Sequence, residues 1–494
     1  MWCLLQTKNW ISHGGDLGNR RYAASEHKIN LETAPSLALR WRYVTQGDVS
    51  ATPAIHDCAV YVPSWNGIVA AVAMDGATLW QTNLSQVTSL HPAVSRATPV
   101  VTKRCVLVGL RGPARVLCLD RMTGDLLWMS PDLELAPHSM ITMSGTAYDG
   151  AYYVGVSSMQ QHAKSCCTFQ GSFHKLDLQT GQTVWSTYMV PRDSQYTGVP
   201  VWGSSPALDE RRGLVYIATG SVFSVPSEVR QCQQATGNSS SCIVPSVCYN
   251  SVVAVDTRDG TIRWCSRMTM SEIWENACRS IRPPPNCPPR PDPDADFGES
   301  PMLVTIQQQG ALRDVVVTGQ KTGFVWAHDR ETGELVWHAV AGPGGSGGGA
   351  NWGSATDNSR VFTNIANSDR QSFLHEPSQL VTTGGGWVAM AATTGRLLWS
   401  TPNPTGQPAY GPVTYTHGGV LLCTSFDSNG HVYAINSYSG EIIWNATTGS
   451  TVYGGFSVGC GCAFVGAGYA STPTGLALGG TPGDSLFAFC IPPY

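Results

Sequence analysis

Apolar residues in this chain come in short runs, broken every few positions by Gly, Asp, Asn or Thr. One unit recurs. It has an opener such as SATPAI (Ser50–Ile55), a continuous apolar run such as AVYVPS (Ala59–Ser64) and a run of the type VAAV (Val69–Val72). A glycine turn and a strand ending on tryptophan follow. Short apolar runs separated by turn residues predict strands rather than helices. Seven times a glycine precedes a tryptophan by four residues: Trp80, Trp128, Trp185, Trp264, Trp337, Trp399 and Trp444. An eighth, Trp41 in LALRWRY, has the strand without the turn. Asp120, Asp177, Asp256, Asp329 and Asn436 stand ahead of the glycines. They suit turns whose amide groups are capped by a side chain and whose Gly takes a positive φ.

A four-stranded unit repeated radially is a propeller blade, and a period this regular sets the architecture. The expectation is an all-β, eight-bladed β-propeller with tryptophan docking between blades, forming a single domain over residues 1–494. The N-terminal segment supplies the Trp41 strand of the last blade. Ser485–Cys490 (SLFAFC) supplies its neighbour, so the two ends pair and leave no open sheet edge. The alternative, tandem independent β-domains, is disfavoured because no repeat can bury a core alone.

Successive tryptophans are 39, 48, 57, 79, 73, 62 and 45 residues apart. The excess falls in the middle repeats and predicts loop insertions at about 224–250 and 269–301. Loops of this kind on a rigid ring carry function more often than scaffold does. Charged residues make up 13% of the chain and the net charge is −4, with no basic cluster. Nucleic acid and anionic membrane are thereby excluded as main partners. No run is long and apolar enough to span a bilayer. Sixteen cysteines and three glycosylation sequons, at Asn83, Asn238 and Asn445, point to disulfides and a secreted or secretory-pathway location. The pairing is left open. No leader is visible in MWCLLQTKN, which suggests an absent leader or an internal start.

The repeat resembles that of pyrroloquinoline quinone (PQQ)-dependent alcohol dehydrogenases, and the opening NWISHGGDLGNRRYA (Asn9–Ala23) is similar to the segment that begins their propellers. Within that family the chain looks most like the polyvinyl-alcohol-dehydrogenase-like branch. The resemblance covers essentially the whole chain. It implies a PQQ cofactor, an alcohol or polyol substrate and an external electron acceptor; no heme attachment motif C-x-x-C-H is present. It also implies roles for individual residues. Trp202, in VWGSSPALD, would form the floor under the quinone. Asp296, in DPDADFGES, would be the catalytic base, with Asp292 and Asp294 near enough to exchange roles with it. Lys321, in GQKTGFVWAHD, would approach the quinone oxygens. Asn351 and Trp352, in GGGANWGSA, would lie near the cofactor. The adjacent Cys166 and Cys167 would form a disulfide ring covering it.

Two positions depart from the family pattern. Its calcium-binding glutamate is best matched by Gln160, with Gln161 next to it, and its asparagine ligand by Ser221, leaving Asp296 as the only anionic metal ligand. Calcium affinity rises with carboxylate count, so calcium is expected to be weakened or absent. Two readings of function result. The chain is a quinoprotein oxidoreductase, or it is a non-catalytic propeller scaffold that has lost calcium–PQQ binding. They are separated by whether Trp202, Asp296 and Lys321 converge on an open pocket at the ring axis.

Overall fold

The computed structural model describes residues 9–162, 166–236, 242–268, 294–308 and 310–493. Eight antiparallel sheets follow one another around a ring. Blades 1 to 7 span 54–83, 100–129, 146–188, 207–267, 302–340, 355–402 and 414–447. Blade 8 is built from Ser457–Gly459, Cys462–Ala467, Ser485–Cys490 and Ala38–Val44, in that order. The two chain ends therefore pair as expected, with Trp41 opposite Ala488. Openers of neighbouring blades touch, which puts them at the axis and the Trp strands at the rim.

Each Trp strand carries a β-bulge, and in every blade the ladder skips the residue immediately before the tryptophan. In blade 1, for example, Ala71 faces Trp80 and Val72 faces Thr78. A bulge re-aims the side chain that follows it, and the indole is turned toward the next blade. All eight indole N–H groups donate to a carbonyl of that blade, at 2.8–3.3 Å. The series runs from Trp41 to Met74 through to Trp444 to Leu37, which closes the ring.

The repeat glycines have a second role beyond the turn. All seven adopt φ between +70° and +91°, and a Cβ on any of them would lie 2.4–3.0 Å from the preceding blade's indole. The Asp and Asn residues ahead of them accept the expected turn amides, as Asp120 does from Met122 and Thr123.

The segment 9–23 threads along the openers. It exchanges backbone hydrogen bonds with Ile55, Val101, Leu208, Leu303, Thr356 and Tyr415, which belong to blades 1, 2, 4, 5, 6 and 7. Disulfides join Cys105–Cys118, Cys166–Cys167, Cys232–Cys242, Cys248–Cys265 and Cys462–Cys490, and Cys58 is also disulfide-bonded. Cys462 thus bonds across adjacent strands rather than to its sequence neighbour Cys460. The first insertion contains a helix, Ser227–Thr236. Most of the second lies outside the described residues, as do Asn238 and Asp292. Among the described residues no helix is long and apolar enough to cross a membrane.

Replacing Trp399 by Phe should remove one of the two donors to the Ser437 carbonyl, which keeps Arg360 Nη1, and lower stability by about 0.5–1.5 kcal/mol for the lost hydrogen bond. Gly440→Ala should cost at least as much, because its φ is +78° and the new Cβ would sit 2.9 Å from the Trp399 ring. Unfolding midpoints of the two variants test this, and an unchanged midpoint for Gly440→Ala would refute the docking account.

Candidate functional site

A cavity of about 650 Å³ opens at the ring axis. Trp202 is part of its lining, and the Trp352 indole stands nearly perpendicular to it, with centroids 5.5 Å apart and planes at 82°. Trp352 is held at φ +67° in a tight turn closed by the Gly353 N–H on the Asn351 carbonyl. Positive-φ turns of this kind are rare for a bulky residue and concentrate at functional sites. His13 of the opening segment braces the turn, its Nε2 lying 2.7 Å from the Trp352 carbonyl oxygen. Glycine is needed nearby, since a Cβ on Gly348 would collide with Asn351 and one on Gly298 with Trp202.

Asp294, Asp296 and Lys321 converge on one wall. Lys321 Nζ is 2.6 Å from Asp294 Oδ2, 3.7 Å from Asp296 Oδ2 and 4.9 Å from the Trp202 ring centroid. The backbone fixes this arrangement: the Lys321 N–H donates to the Asp296 carbonyl, and Gln320 Nε2 donates to the Ala295 carbonyl. Asp296 Oδ1 accepts from both the N–H and the hydroxyl of Ser221, at 2.7 and 2.6 Å. Gly220 makes room for that carboxylate, because a Cβ there would touch both of its oxygens. Burial, reinforced by the neighbouring Asp296 charge, raises the Asp294 carboxyl against the opposing pull of Lys321. Burial and the Lys321 charge lower the His162 imidazole, which also lines the cavity.

Of the residues singled out in the sequence, Trp202, Asp296, Lys321, Asn351 and Trp352 all line this cavity. Gln160 does not. Its carbonyl oxygen accepts the N–H groups of Thr168 and Phe169, and its amide donates to the Thr168 hydroxyl. The wall position belongs to Gln161 instead. Gln160, the best match to the family's metal-binding glutamate, is turned away from the cavity for a physical reason: a buried amide beside two unpaired N–H groups satisfies them first. Ser221 is likewise buried and turned to Asp296 rather than into the cavity. Cys166 and Cys167 are bonded to each other, but neither is among the described residues lining the cavity.

The sequence reading passed over Arg96 and Arg111, which also line the wall and lie 5.0 and 5.3 Å from the Trp352 and Trp65 ring centroids. A signal for Arg96 was available. It sits in an opener, VSRATPV, where the other blades place small or apolar residues, in a chain with few charges.

Residues 10–280, more than half of the chain, match the family model described as the glucose/ethanol/alcohol dehydrogenase β-propeller domain (PQQ). The chain belongs to this family. Residues 384–468 match the outer membrane protein assembly factor BamB repeat model, so the repeat itself is shared more widely. The polyvinylalcohol dehydrogenases of Pseudomonas sp. and Sphingopyxis sp. (strain 113P3) are each 25% identical to it over 98% of this chain and 77% and 76% of their own. The quinohemoprotein alcohol dehydrogenase ADH IIB of Pseudomonas putida is 24% identical over 66% of this chain and 46% of its own. Among solved structures, the quinohemoprotein alcohol dehydrogenase from Comamonas testosteroni superposes with a TM-score of 0.73 at 18% identity, covering 98% of this chain and 80% of that one. The likeness to that structure shows the fold. With the relatives, family membership makes the chain an oxidoreductase of the PQQ-dependent alcohol dehydrogenase type.

The cavity fits that family's cofactor. Trp202 Nε1, Trp352 Nε1 and Asn351 Oδ1 are buried and have no hydrogen-bond partner among the described residues. Such orphaned groups are rare unless a ligand takes them up. Indole faces suit a planar quinone, and Arg96 and Arg111 suit its carboxylates. Calcium does not fit. The Gln160 oxygen accepts backbone N–H groups, the Ser221 hydroxyl is turned to Asp296, and Asp294 Oδ2 is paired with Lys321, which leaves only Asp294 Oδ1 of that carboxylate unpartnered among the described residues.

Other buried charges are completely enclosed nearby. Burial lowers Arg21 to about 9 and His13 to about 3, the latter with help from the Arg21 charge. Burial raises Glu299 from 4.5 to about 7, against hydrogen bonds from Ser354, Gly319 and Thr363. An acid whose folded pKa is raised contributes its stability below pH 4.5 and loses it as pH rises through about 7. Glu299→Gln should therefore gain on the wild type across that window by on the order of 3 kcal/mol. His13 acts in the opposite sense, losing stability as pH falls toward 3, so the difference between the two proteins is the informative quantity. Unfolding midpoints at pH 5 and pH 8 check it, and a constant gap would contradict it.

Proposed function

We propose that this chain oxidises a secondary or polymeric alcohol with PQQ seated on Trp202 and passes the electrons to an external acceptor. The observation that carries the proposal is the convergence of Trp202, Asp296, Lys321 and Asn351 on one open cavity. PQQ, when bound, supplies the two-electron acceptor, so that the alcohol leaves as a carbonyl compound after losing two electrons and two protons.

The chain's own groups divide the remaining work. Asp296 takes the hydroxyl proton. Its Oδ1 is saturated by Ser221, so Oδ2, on the Lys321 side, is the oxygen for this task. Lys321 places positive charge where negative charge develops. Asn351 and Trp352 orient the cofactor, and Arg96 and Arg111 hold its carboxylates. Trp65, Tyr453, Pro473, Ala477 and Leu478 give the mouth an apolar wall. Such a wall favours a methylene-rich chain over a small polar alcohol, in keeping with relatives named polyvinylalcohol dehydrogenases. The disulfides favour an oxidising compartment.

Reconstitution of the purified protein with PQQ, followed by dye reduction with secondary and polymeric alcohols, tests this proposal. Asp296→Asn should retain bound quinone and lose about 10²–10⁴-fold in kcat. Protein that retains no quinone after dialysis would sink the proposal.

A further inference from the structure

Positive charge already occupies the wall where a divalent cation would be expected. Lys321 Nζ lies between the carboxylates of Asp294 and Asp296, and 12% of its side chain is exposed. Asp294 Oδ1 and Asn351 Oδ1 are unpartnered among the described residues, but the oxygens matched to the family's other ligands are engaged. Asp296 Oδ1 accepts two donors from Ser221, whose hydroxyl also lies 3.2 Å from Asn250 Oδ1. Gln160 has turned its oxygen to the backbone of Thr168 and Phe169.

Calcium takes about six to eight oxygen ligands and needs carboxylates to bind tightly. To enter here it would have to break the Asp294–Lys321 pair and displace the Ser221 donors. It would then sit beside the ammonium of Lys321, whose backbone is bonded to Asp296 on one side and to Gly345 on the other and whose Nζ is held by Asp294. Two like charges at contact distance repel. Arg96 and Arg111, on the same cavity, add to the positive field.

We propose that the ammonium of Lys321, clamped by Asp294 and Asp296 beside Trp202, stands in for the divalent cation, and that this chain binds its quinone without metal. The inference rests on the reading of the cavity as a PQQ site. It gives a single reason for the losses at Gln160 and Ser221. Once a fixed ammonium serves the site, an anionic ligand and a long amide arm no longer have a cation to hold.

The test uses the full chain stripped with EDTA and titrated with PQQ, once with EDTA present throughout and once with excess calcium chloride. Quenching of tryptophan fluorescence and equilibrium dialysis report binding, and elemental analysis of the loaded protein reports metal. The expected result is the same Kd in both arms within about threefold, with no stoichiometric metal. Lys321→Met should weaken binding in EDTA by at least about tenfold, and Lys321→Arg should restore most of it, because the guanidinium keeps the charge. Binding that requires calcium overturns this inference and leaves the quinone reading standing. Binding in neither arm overturns the quinone reading, and this inference with it. The comparison of the two arms uses the wild-type protein, so it decides the matter even if Lys321→Met does not fold.

Discussion

Everything in this molecule depends on an indole from one blade lying against a glycine of the next. The contact is repeated seven times with glycine and closed an eighth time by Trp444 on Leu37. Neither partner is replaceable in kind. The indole must fill a gap between twisted sheets and satisfy a carbonyl there, and the glycine must combine positive φ with the absence of a Cβ. The bulge before each tryptophan links the two demands, because it aims the ring sideways without interrupting the sheet that carries it.

That repeated contact made the fold legible from the chain alone. The blade count, the role of Trp41 and the pairing of Ser485–Cys490 with the N-terminal strand all followed from spacing, and the structure places them so. The site was legible only in part, for a physical reason. Its groups lie outside the Gly–Trp register, contributed by several blades, and no periodicity ties Trp202 to Lys321 or Asn351. Choosing between neighbours such as Gln160 and Gln161 depends on which one finds unpaired backbone N–H groups, and that is decided by a turn not yet built when only sequence is in hand. Cys248–Cys265 and Cys462–Cys490 were hidden similarly, since the first ties a loop to a Trp strand and the second joins two strands that the sheet order brings together.

The axis carries an unusual load of enclosed charge for a chain this poor in charged residues. Arg21 illustrates how it is tolerated. Its guanidinium donates to the carbonyls of His13, Val413 and Phe456 and to the Thr414 hydroxyl, so its burial is compensated donor by donor. Those partners belong to the opening segment and to blades 7 and 8, and the same residue that is costly to bury therefore stitches the ring at its centre. Lys321 follows a different rule, being compensated by carboxylates rather than carbonyls.

Closure of the ring and construction of the mouth are one event. Asp48, just past the N-terminal strand, accepts the N–H groups of Ala470, Ser471 and Gly483 and the Ser471 hydroxyl, at 2.6–2.7 Å. Those residues flank the short helix Pro473–Ala477, which walls the cavity. The floor is held differently. Backbone bonds from Gly220 to Pro200, Phe297 to Thr219, Lys321 to Asp296 and Gly345 to Lys321 lock the site loops of blades 4 and 5 to one another. Asp296, Lys321 and Trp202 are thus fixed by the ring's interior. The Pro473–Ala477 wall hangs instead on a single carboxylate, Asp48, so the 470–483 loop can change shape while the loops of blades 4 and 5 keep theirs.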